Sequence, residues 1–138
     1  MEKKICIGER WIGKNEPAFI IAEMSANHNM DYERAKKIIK GVKDAGADAV
    51  KLQTYTPDTI TIDCDNDYFQ INQGTLWDGT TLYKLYQRAY TPWEWQADLK
   101  AYAESLGLIC FSSPFDFSAV DFLESIDAVS YTHLTLPT

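Results

Sequence analysis

The chain contains little of what several classes of protein require. It has three cysteines among 138 residues, Cys6, Cys64 and Cys110, and no two of them have the spacing of a metal or redox motif. Histidines number two, and no pair of residues shows metal-ligand spacing. No apolar run approaches the roughly 18 residues of a membrane span, and nothing resembles a signal peptide. We therefore expect reduced thiols and a cytoplasmic location.

Positive charge is also scarce. The chain has 13 Lys and Arg against 20 Asp and Glu, which gives a net charge of −7 at pH 7. This balance argues against nucleic acid or an anionic membrane as a partner, because both repel a negatively charged protein. Hydrophobic residues make up 46% of the chain, an ordinary share for a globular protein, so disorder is not expected.

Three apolar segments each finish on polar residues. The first, 19–23, ends at Glu23; the second, 49–53, carries Lys51 and Gln53; the third, 108–115, closes on Ser112-Ser113-Pro114, with its strand predicted over 108–112. Helical patterns separate the three, which indicates consecutive βα units, and in such folds the polar carboxyl ends of the strands build the active site. A complete (β/α)₈ barrel, or TIM barrel, needs roughly 250 residues. The fold class we predict is therefore α/β, as the truncated N-terminal half of such a barrel.

The remaining patterns complete this prediction. Residues 4–12 predict a short β-hairpin that closes the bottom of the barrel. Thr91 and Glu94 have the spacing of a capping box, with Pro at the first helical position, so Thr91 is predicted to cap a helix. Residues 54–80 form a long connection of the kind that is usually functional. Helices are predicted over 31–45, 81–90, 91–106 and 116–125, and the start of a fourth strand over 127–129.

The last stretch, 130–138, does not continue the pattern. Its Thr/Leu repetition ends in Pro where a buried strand and a charged helix are expected. We interpret it as foreign sequence, for example a translated adapter, and assign residues 1–129 to a partial barrel domain.

Lys51 is the residue with the most open interpretation. Strand alternation places Lys51 and Gln53 on one face and Val50 and Leu52 on the other. An inward Lys needs an anion, which is either a bound phosphate or carboxylate or the side chain of Glu23. A desolvated lysine can also become a nucleophile that forms a Schiff base. Anion binding, a core ion pair and Schiff-base chemistry all stay open at this point.

Three further residues are candidates for binding. Ser113 lies in a turn whose hydroxyls and backbone N–H groups can bind phosphate, although simple turn chemistry explains it equally. His28 is a lone loop histidine, which is more often structural than a metal ligand. Trp77, flanked by Gly74 and Gly79, is placed to stack on a sugar ring, whereas the other aromatic residues fit core packing.

With these residues in place, the chain resembles the nonulosonic (sialic) acid synthase family over roughly residues 4–129. The Met-Ser that follows Glu23 and the segment around Trp77 favour the pseudaminic acid branch over the N-acetylneuraminate branch. The matching segments are Ile20-Ile21-Ala22-Glu23-Met24-Ser25-Ala26-Asn27-His28-Asn29, Asp44-Ala45-Gly46-Ala47-Asp48-Ala49-Val50-Lys51-Leu52-Gln53-Thr54, Gly74-Thr75-Leu76-Trp77-Asp78-Gly79, Tyr90-Thr91-Pro92-Trp93-Glu94-Trp95 and Cys110-Phe111-Ser112-Ser113-Pro114-Phe115-Asp116.

The resemblance implies a reaction. Enzymes of this family condense phosphoenolpyruvate with an open-chain amino-sugar aldehyde and release phosphate. Water attacks C2 of the enolpyruvyl unit, so phosphate leaves by C–O cleavage. A divalent metal, Mn²⁺ or Mg²⁺, activates the aldehyde as a Lewis acid.

The resemblance also implies roles for residues of this chain. Glu23 would contact the metal-bound aldehyde or water and help proton transfer, and Lys51 would bind the phosphoenolpyruvate anion. The remaining substrate-binding positions implied are Gln53, Ser113, Phe115, Asn27 and His28, and Trp77 joins them as a substrate-binding candidate from its own sequence context.

The sequence departs from the family in its last part. The inward Lys of the family's fourth strand, expected near Ser130, is missing, as are its later phosphate-binding serines and its two metal-binding histidines. The C-terminal antifreeze-like domain, which in the family closes the sugar site across a homodimer, is also missing. We therefore expect these 138 residues alone to be inactive and unable to fold stably.

Two alternatives stay open. One is another barrel aldolase or phosphoenolpyruvate-dependent sugar acid synthase, although an enzyme of phosphorylated sugars would need basic residues that 54–80 does not contain. The other is a non-catalytic half-barrel fragment that binds a ligand or a partner half-barrel.

Overall fold

The computed structural model describes residues 4–72 and 74–127, and it contains a hairpin, a parallel sheet and helices on one side of that sheet. The fourth strand predicted over 127–129 and the tail 130–138 lie almost wholly outside the described residues. The elements in chain order are β1 (Ile5–Ile7), β2 (Arg10–Ile12), β3 (Ile21–Glu23), α1 (Tyr32–Asp44), β4 (Ala49–Thr54), α2 (Pro57–Ile60), α3 (Leu82–Ala89), α4 (Trp93–Ser105), β5 (Ile109–Pro114) and α5 (Phe117–Ser125).

Strands β3, β4 and β5 form a parallel sheet with β4 in the centre. The three strands predicted from the sequence are therefore confirmed, and each is separated from the next by a helical connection. Parallel neighbours need such crossovers, because a tight turn cannot return the chain in the same direction. The carboxyl ends of the three strands consequently meet at one edge of the sheet.

The core lies between this sheet and helices α1 and α4. Val50 and Leu52 project from β4 toward the helices, as their alternation with Lys51 and Gln53 predicted. Burial of these apolar side chains supplies the main stabilisation of the unit. The buried cluster consists of Met24, Ala35, Ile39, Val50, Leu52, Leu99, Ala103, Leu108 and Cys110.

The ends of α1 follow local sequence signals. Asp31 adopts an extended conformation and its carboxylate accepts a hydrogen bond from the backbone N–H of Arg34. Gly46, just beyond the helix, has φ of +82°, a conformation that favours glycine and ends the helix. In the same way Asp116 caps α5 by accepting from the N–H groups of Ser118 and Ala119.

The prediction for the start of α4 was wrong. The helix begins at Trp93 with Pro92 as the capping residue, and no side chain makes a capping hydrogen bond there. Thr91 is buried instead, and its Oγ1 lies 3.1 Å from Nε2 of His28. The long-range partner has taken the hydroxyl that a local capping box would have used.

The β1–β2 hairpin lies against the amino-terminal ends of the sheet strands. Arg10 forms an ion pair with Asp48, the residue before β4. Gly8, with φ of +59°, approaches Ile109 so closely that an added Cβ would lie 2.9 Å from the Ile109 side chain. The predicted position of the hairpin, at the bottom of the strands, is therefore confirmed.

The long connection after β4 is partly helical. Thr56 caps the short helix α2 in a reciprocal capping box with Thr59. Gln70 forms an isolated bridge with Thr81, which in turn caps α3. Within the part of the chain that the structure describes, no helix is long and apolar enough to cross a membrane.

We expect the 138-residue polypeptide, expressed alone, to self-associate. Within the described ranges neither outer edge of the three-stranded sheet pairs with another strand, and Ile20, Ile21 and Trp11 are exposed. Unpaired edges and exposed apolar surface both promote association. Light scattering after size exclusion should show oligomers, and heating should give no sharp transition. A monomer that melts cooperatively would contradict this expectation.

Candidate active site at the strand ends

The predicted site residues of the three strands share one face of the sheet. Glu23 lies opposite Lys51 in the β3–β4 pair, and Gln53 lies opposite Ser113 in the β4–β5 pair. Residues opposite each other in a parallel pair project to the same side, and every second residue along a strand does so as well. Glu23, Lys51, Gln53 and Ser113 therefore occupy the face that points away from α1 and α4.

Lys51 and Glu23 form an ion pair. Lys51 Nζ lies 2.6 Å from Glu23 Oε1, with the Lys side chain 19% exposed and the Glu side chain 51% exposed. The core-pair interpretation of Lys51 thus has a direct geometric basis. An ammonium group has three donors, however, so one bond to Glu23 leaves Lys51 able to bind a second anion on the same face.

Ser112 and Ser113 project to opposite faces of β5. Ser113, which is 7% exposed, lies on the site face opposite Gln53, whereas Ser112 is buried toward the helices. The Ser-Ser pair therefore lies in two environments, and of the two only Ser113 faces the site. This separation follows from the strand alternation and does not require a special turn.

Phe115 belongs to an aromatic cluster above the strand ends. Its ring lies 5.4 Å from the ring of Tyr55, and Tyr55 lies 5.5 Å from Tyr86 of α3, both in edge-to-face geometry. Burial, with the nearby Tyr86, raises the pKa of the Tyr55 phenol to about 12. Tyr55, which belongs to the long connection, thus holds Phe115 in place through an edge-to-face contact of the two rings.

Phe111 is a site-face residue that the sequence analysis missed. It lies opposite Lys51 in the β4–β5 pair and two residues before Ser113, so it projects to the same side as both. Its apolar side chain gave no chemical signal, but the alternation with Ser113 would have identified it. Phe111 gives the floor of the site an apolar surface beside the Lys51 ammonium group.

His28 is fully buried and lies beside α4. Its Nδ1 accepts the backbone N–H of Met30 at 3.1 Å, so Nε2 carries the proton and donates to Thr91 Oγ1. The ring also packs edge-on against Trp95 at 5.8 Å. Because both ring nitrogens are engaged, this geometry favours the structural interpretation of His28, and substrate binding by it stays a prediction.

Asn27 and Trp77 are placed differently from the other candidates. Asn27 is exposed, and its side-chain amide donates to the carbonyl of Met24 at 2.9 Å, next to Glu23. Trp77, 39% exposed, lines a cleft of about 310 Å³ with Tyr68 and other residues of the long connection, and Lys51 and Gln53 are not part of that lining. Sugar stacking by Trp77 stays a prediction.

Two further features of the described residues bear on alternative sites, namely a cleft below the strands and the lack of a cluster of metal ligands. A cleft of about 730 Å³ lies at the opposite end of the sheet, between the hairpin and the loops before β4 and β5. Among residues 4–72 and 74–127, no group of three or more His, Cys, Asp or Glu side chains is placed to hold a metal ion. A metal contribution therefore stays a prediction, as does its identity.

A parallel α/β unit with polar residues at the carboxyl ends of its strands is the arrangement found in (β/α) barrels. Comparison with known proteins gives the family: residues 38–132 match the NeuB family, and the chain belongs to it. It is 49% identical over 117 residues to the pseudaminic acid synthase of Campylobacter jejuni, which covers 85% of this chain and 34% of that protein. It is 51% identical over 116 residues to that of Helicobacter pylori, with 84% and 34% covered.

The solved structures confirm the fold. The N-acetylneuraminic acid synthetase of Leptospira borgpetersenii superposes with a TM-score of 0.70 at 28% identity, over 91% of this chain and 39% of that one. The predicted class, part of a TIM barrel preceded by a hairpin, is therefore correct. The chain spans about a third of the length of the curated relatives it matches.

The buried state of His28 predicts a pH dependence of stability. Burial lowers the pKa of His28 below its ordinary 6.5. The unfolded chain then binds more protons than the folded one, so the stability that His28 contributes is present above pH 6.5 and is lost as the pH falls below it.

The measurement uses a chimera in which the aligned segment of this chain replaces that of the C. jejuni protein. We expect the wild-type chimera to lose stability, relative to a His28→Gln chimera, as urea titrations move from pH 7.5 to pH 5. A stability difference that stays constant over this range would show that His28 is not held neutral by burial.

Proposed function

We propose that this chain forms the amino-terminal strands of a nonulosonic acid synthase of the pseudaminic acid type. The enzyme would condense phosphoenolpyruvate with an amino-sugar aldehyde and release phosphate. The observation that carries this proposal is the common face of Glu23, Lys51, Gln53 and Ser113 at the strand ends. The identity of about half to two pseudaminic acid synthases supports the choice of branch.

Lys51 is the anion-binding residue of this proposal. Its ammonium group sits on a largely buried stem, so its charge is poorly screened by water. One of its three donors is directed at Glu23, and the others are available to the carboxylate or phosphate of phosphoenolpyruvate. Gln53 and Ser113, neighbours across β4 and β5, supply the amide and hydroxyl that position the same anion.

Glu23 is the proton-transfer group. Its carboxylate is half exposed and lies beside Lys51, so a substrate in front of the sheet can reach it without displacing the core. A carboxylate in this position can accept a proton from water. Phe111 adds an apolar surface to the same face of the sheet.

A divalent metal, Mn²⁺ or Mg²⁺, would supply Lewis-acid activation of the aldehyde when bound. The described residues contain no ligand set for such a metal. The roles given above for Lys51, Gln53, Ser113 and Glu23 are those of this chain's own side chains. The proposal also includes a homodimer as the complete enzyme.

The Lys51→Ala variant of the chimera tests the proposal. We expect phosphate release from phosphoenolpyruvate, with the amino-sugar aldehyde present, to fall by at least about a hundredfold, because one charged contact to a reacting anion is lost. Lys40→Ala is the matched control, since Lys40 forms an exposed ion pair with Asp44 on α1 and should leave turnover unchanged. Near-normal turnover of Lys51→Ala, or an inactive but folded parent chimera, would contradict the proposal.

The second candidate is a Schiff-base aldolase that uses Lys51 as nucleophile. Burial of the Lys51 stem favours it, whereas the 2.6 Å contact with the Glu23 carboxylate favours anion binding, because it places the amine directly against an anionic group. Treatment of the chimera with pyruvate and borohydride distinguishes the two. We expect no covalent adduct on Lys51 by mass spectrometry; a stable adduct there would support the aldolase.

A further inference from the structure

Behind the candidate site lies a buried chain of polar side chains that the proposed function does not use. It links β4, β5, the start of α4 and the loop after β3. All of its members are almost completely buried. They are His28, Thr91, Gln96, Thr54 and Ser112.

The direction of each hydrogen bond around Gln96 can be assigned. Thr54 Oγ1 donates its single proton to Gln96 Oε1 at 2.7 Å, so Ser112 must be the donor in its 2.6 Å contact with Thr54. The amide nitrogen of Gln96 donates to the backbone carbonyls of Gln53 at 3.4 Å and Thr91 at 3.3 Å. Gln96 therefore uses its amide oxygen and amide nitrogen at the same time.

The members on the strands alternate with the site residues. Thr54 follows Gln53 and Ser112 precedes Ser113, so each site side chain has a network side chain next to it on the opposite face. Gln96 is thus hydrogen-bonded to the backbone carbonyl of Gln53. Through Thr54 it is also linked to Ser112, the residue before Ser113. Hydrogen bonds are directional. They therefore restrict how far the end of β4 can shift along its axis relative to the end of β5 more narrowly than apolar contacts do.

The same face of α4 makes a second contact with the end of β4. The indole N–H of Trp93, one turn before Gln96, donates to the backbone carbonyl of Tyr55 at 3.0 Å. The Phe115 N–H then donates to the carbonyl of Thr54 at 3.3 Å, which joins the end of β5 to that of β4. Hydrogen bonds to the first turns of α4 therefore restrain the carboxyl end of β4 directly and that of β5 through β4.

We propose that Gln96 is a positioning residue of the candidate site, which sets the alignment of Gln53 and Ser113 through its hydrogen bonds to Thr54, Ser112 and the Gln53 carbonyl. This inference rests on the proposed function for its kinetic consequence. Its structural consequence, a local ordering of the two strand ends, is independent of the reaction.

The test compares Gln96→Met with Leu99→Ala in the chimera. Met matches the size of Gln but makes none of its hydrogen bonds, whereas Leu99 is a core residue of the same helix outside the network. Leu99→Ala removes buried methyl groups and should lower the melting temperature, so it shows what destabilisation alone does to turnover. Asp98→Asn changes an exposed residue of α4, so it shows how much turnover varies between preparations of folded variants.

We expect Gln96→Met to lower kcat/KM for phosphoenolpyruvate by roughly ten- to a hundredfold at a temperature where all variants are folded. Leu99→Ala should stay within about twofold of the parent despite its lower melting temperature, and Gln96→Glu should not rescue, since a carboxylate lacks the two N–H donors. Equal kinetic effects of Gln96→Met and Leu99→Ala would overturn the inference.

Hydrogen exchange separates this inference from the proposed function. In Gln96→Met the amides at the ends of β4 and β5, including Phe115, should exchange faster while those of α1 keep their protection. That result in a folded but inactive parent chimera would support the positioning role and reject the proposed reaction. Unchanged exchange at the strand ends, or a uniform increase along the chain, would overturn the positioning role whatever the activity.

Discussion

The arrangement of this protein segment depends on the alternation of side chains along β4. Val50, Leu52 and Thr54 project toward α1 and α4, so the central strand can be buried on that side only if Lys51 and Gln53 project to the other. A slip of the strand by one residue would place a lysine in the apolar core and Leu52 on the open face. The same requirement that stabilises the core therefore also presents the polar pair at the strand end.

The helix side of β4 is not uniformly apolar, and this matters for the site. Val50 and Leu52 pack in the core, but Thr54 meets a glutamine instead of a leucine. Buried polar groups cost free energy unless they are satisfied, and no buried side-chain polar atom of the described residues lacks a hydrogen-bond partner. The buried polar contacts of β4 and β5 lie at the carboxyl end of the sheet, next to the candidate site residues Gln53 and Ser113.

Local signals in the sequence predicted the local structure well. The bounds of α1 and α5 follow from Asp31, Gly46 and Asp116, because caps act over three or four residues. Thr91 was assigned wrongly because its partner, His28, lies 63 residues away in the chain. Gln96 gave no signal for the same reason: in a helix sequence it looks like a solvent-facing residue, and only the packing of α4 on β4 shows otherwise.

The Glu23–Lys51 pair shows why a structural and a functional interpretation of one contact need not compete. A partly exposed ion pair contributes about 0–1 kcal/mol to stability, so the pair is weak evidence that the fold requires these two residues. In the proposed function the pair would matter more for chemistry, since its two groups, which lie 2.6 Å apart beside the apolar Phe111, are given opposite roles. A substrate anion bound to Lys51, as proposed, would lie beside Glu23, and a pair this weak could open to admit it at little cost in stability.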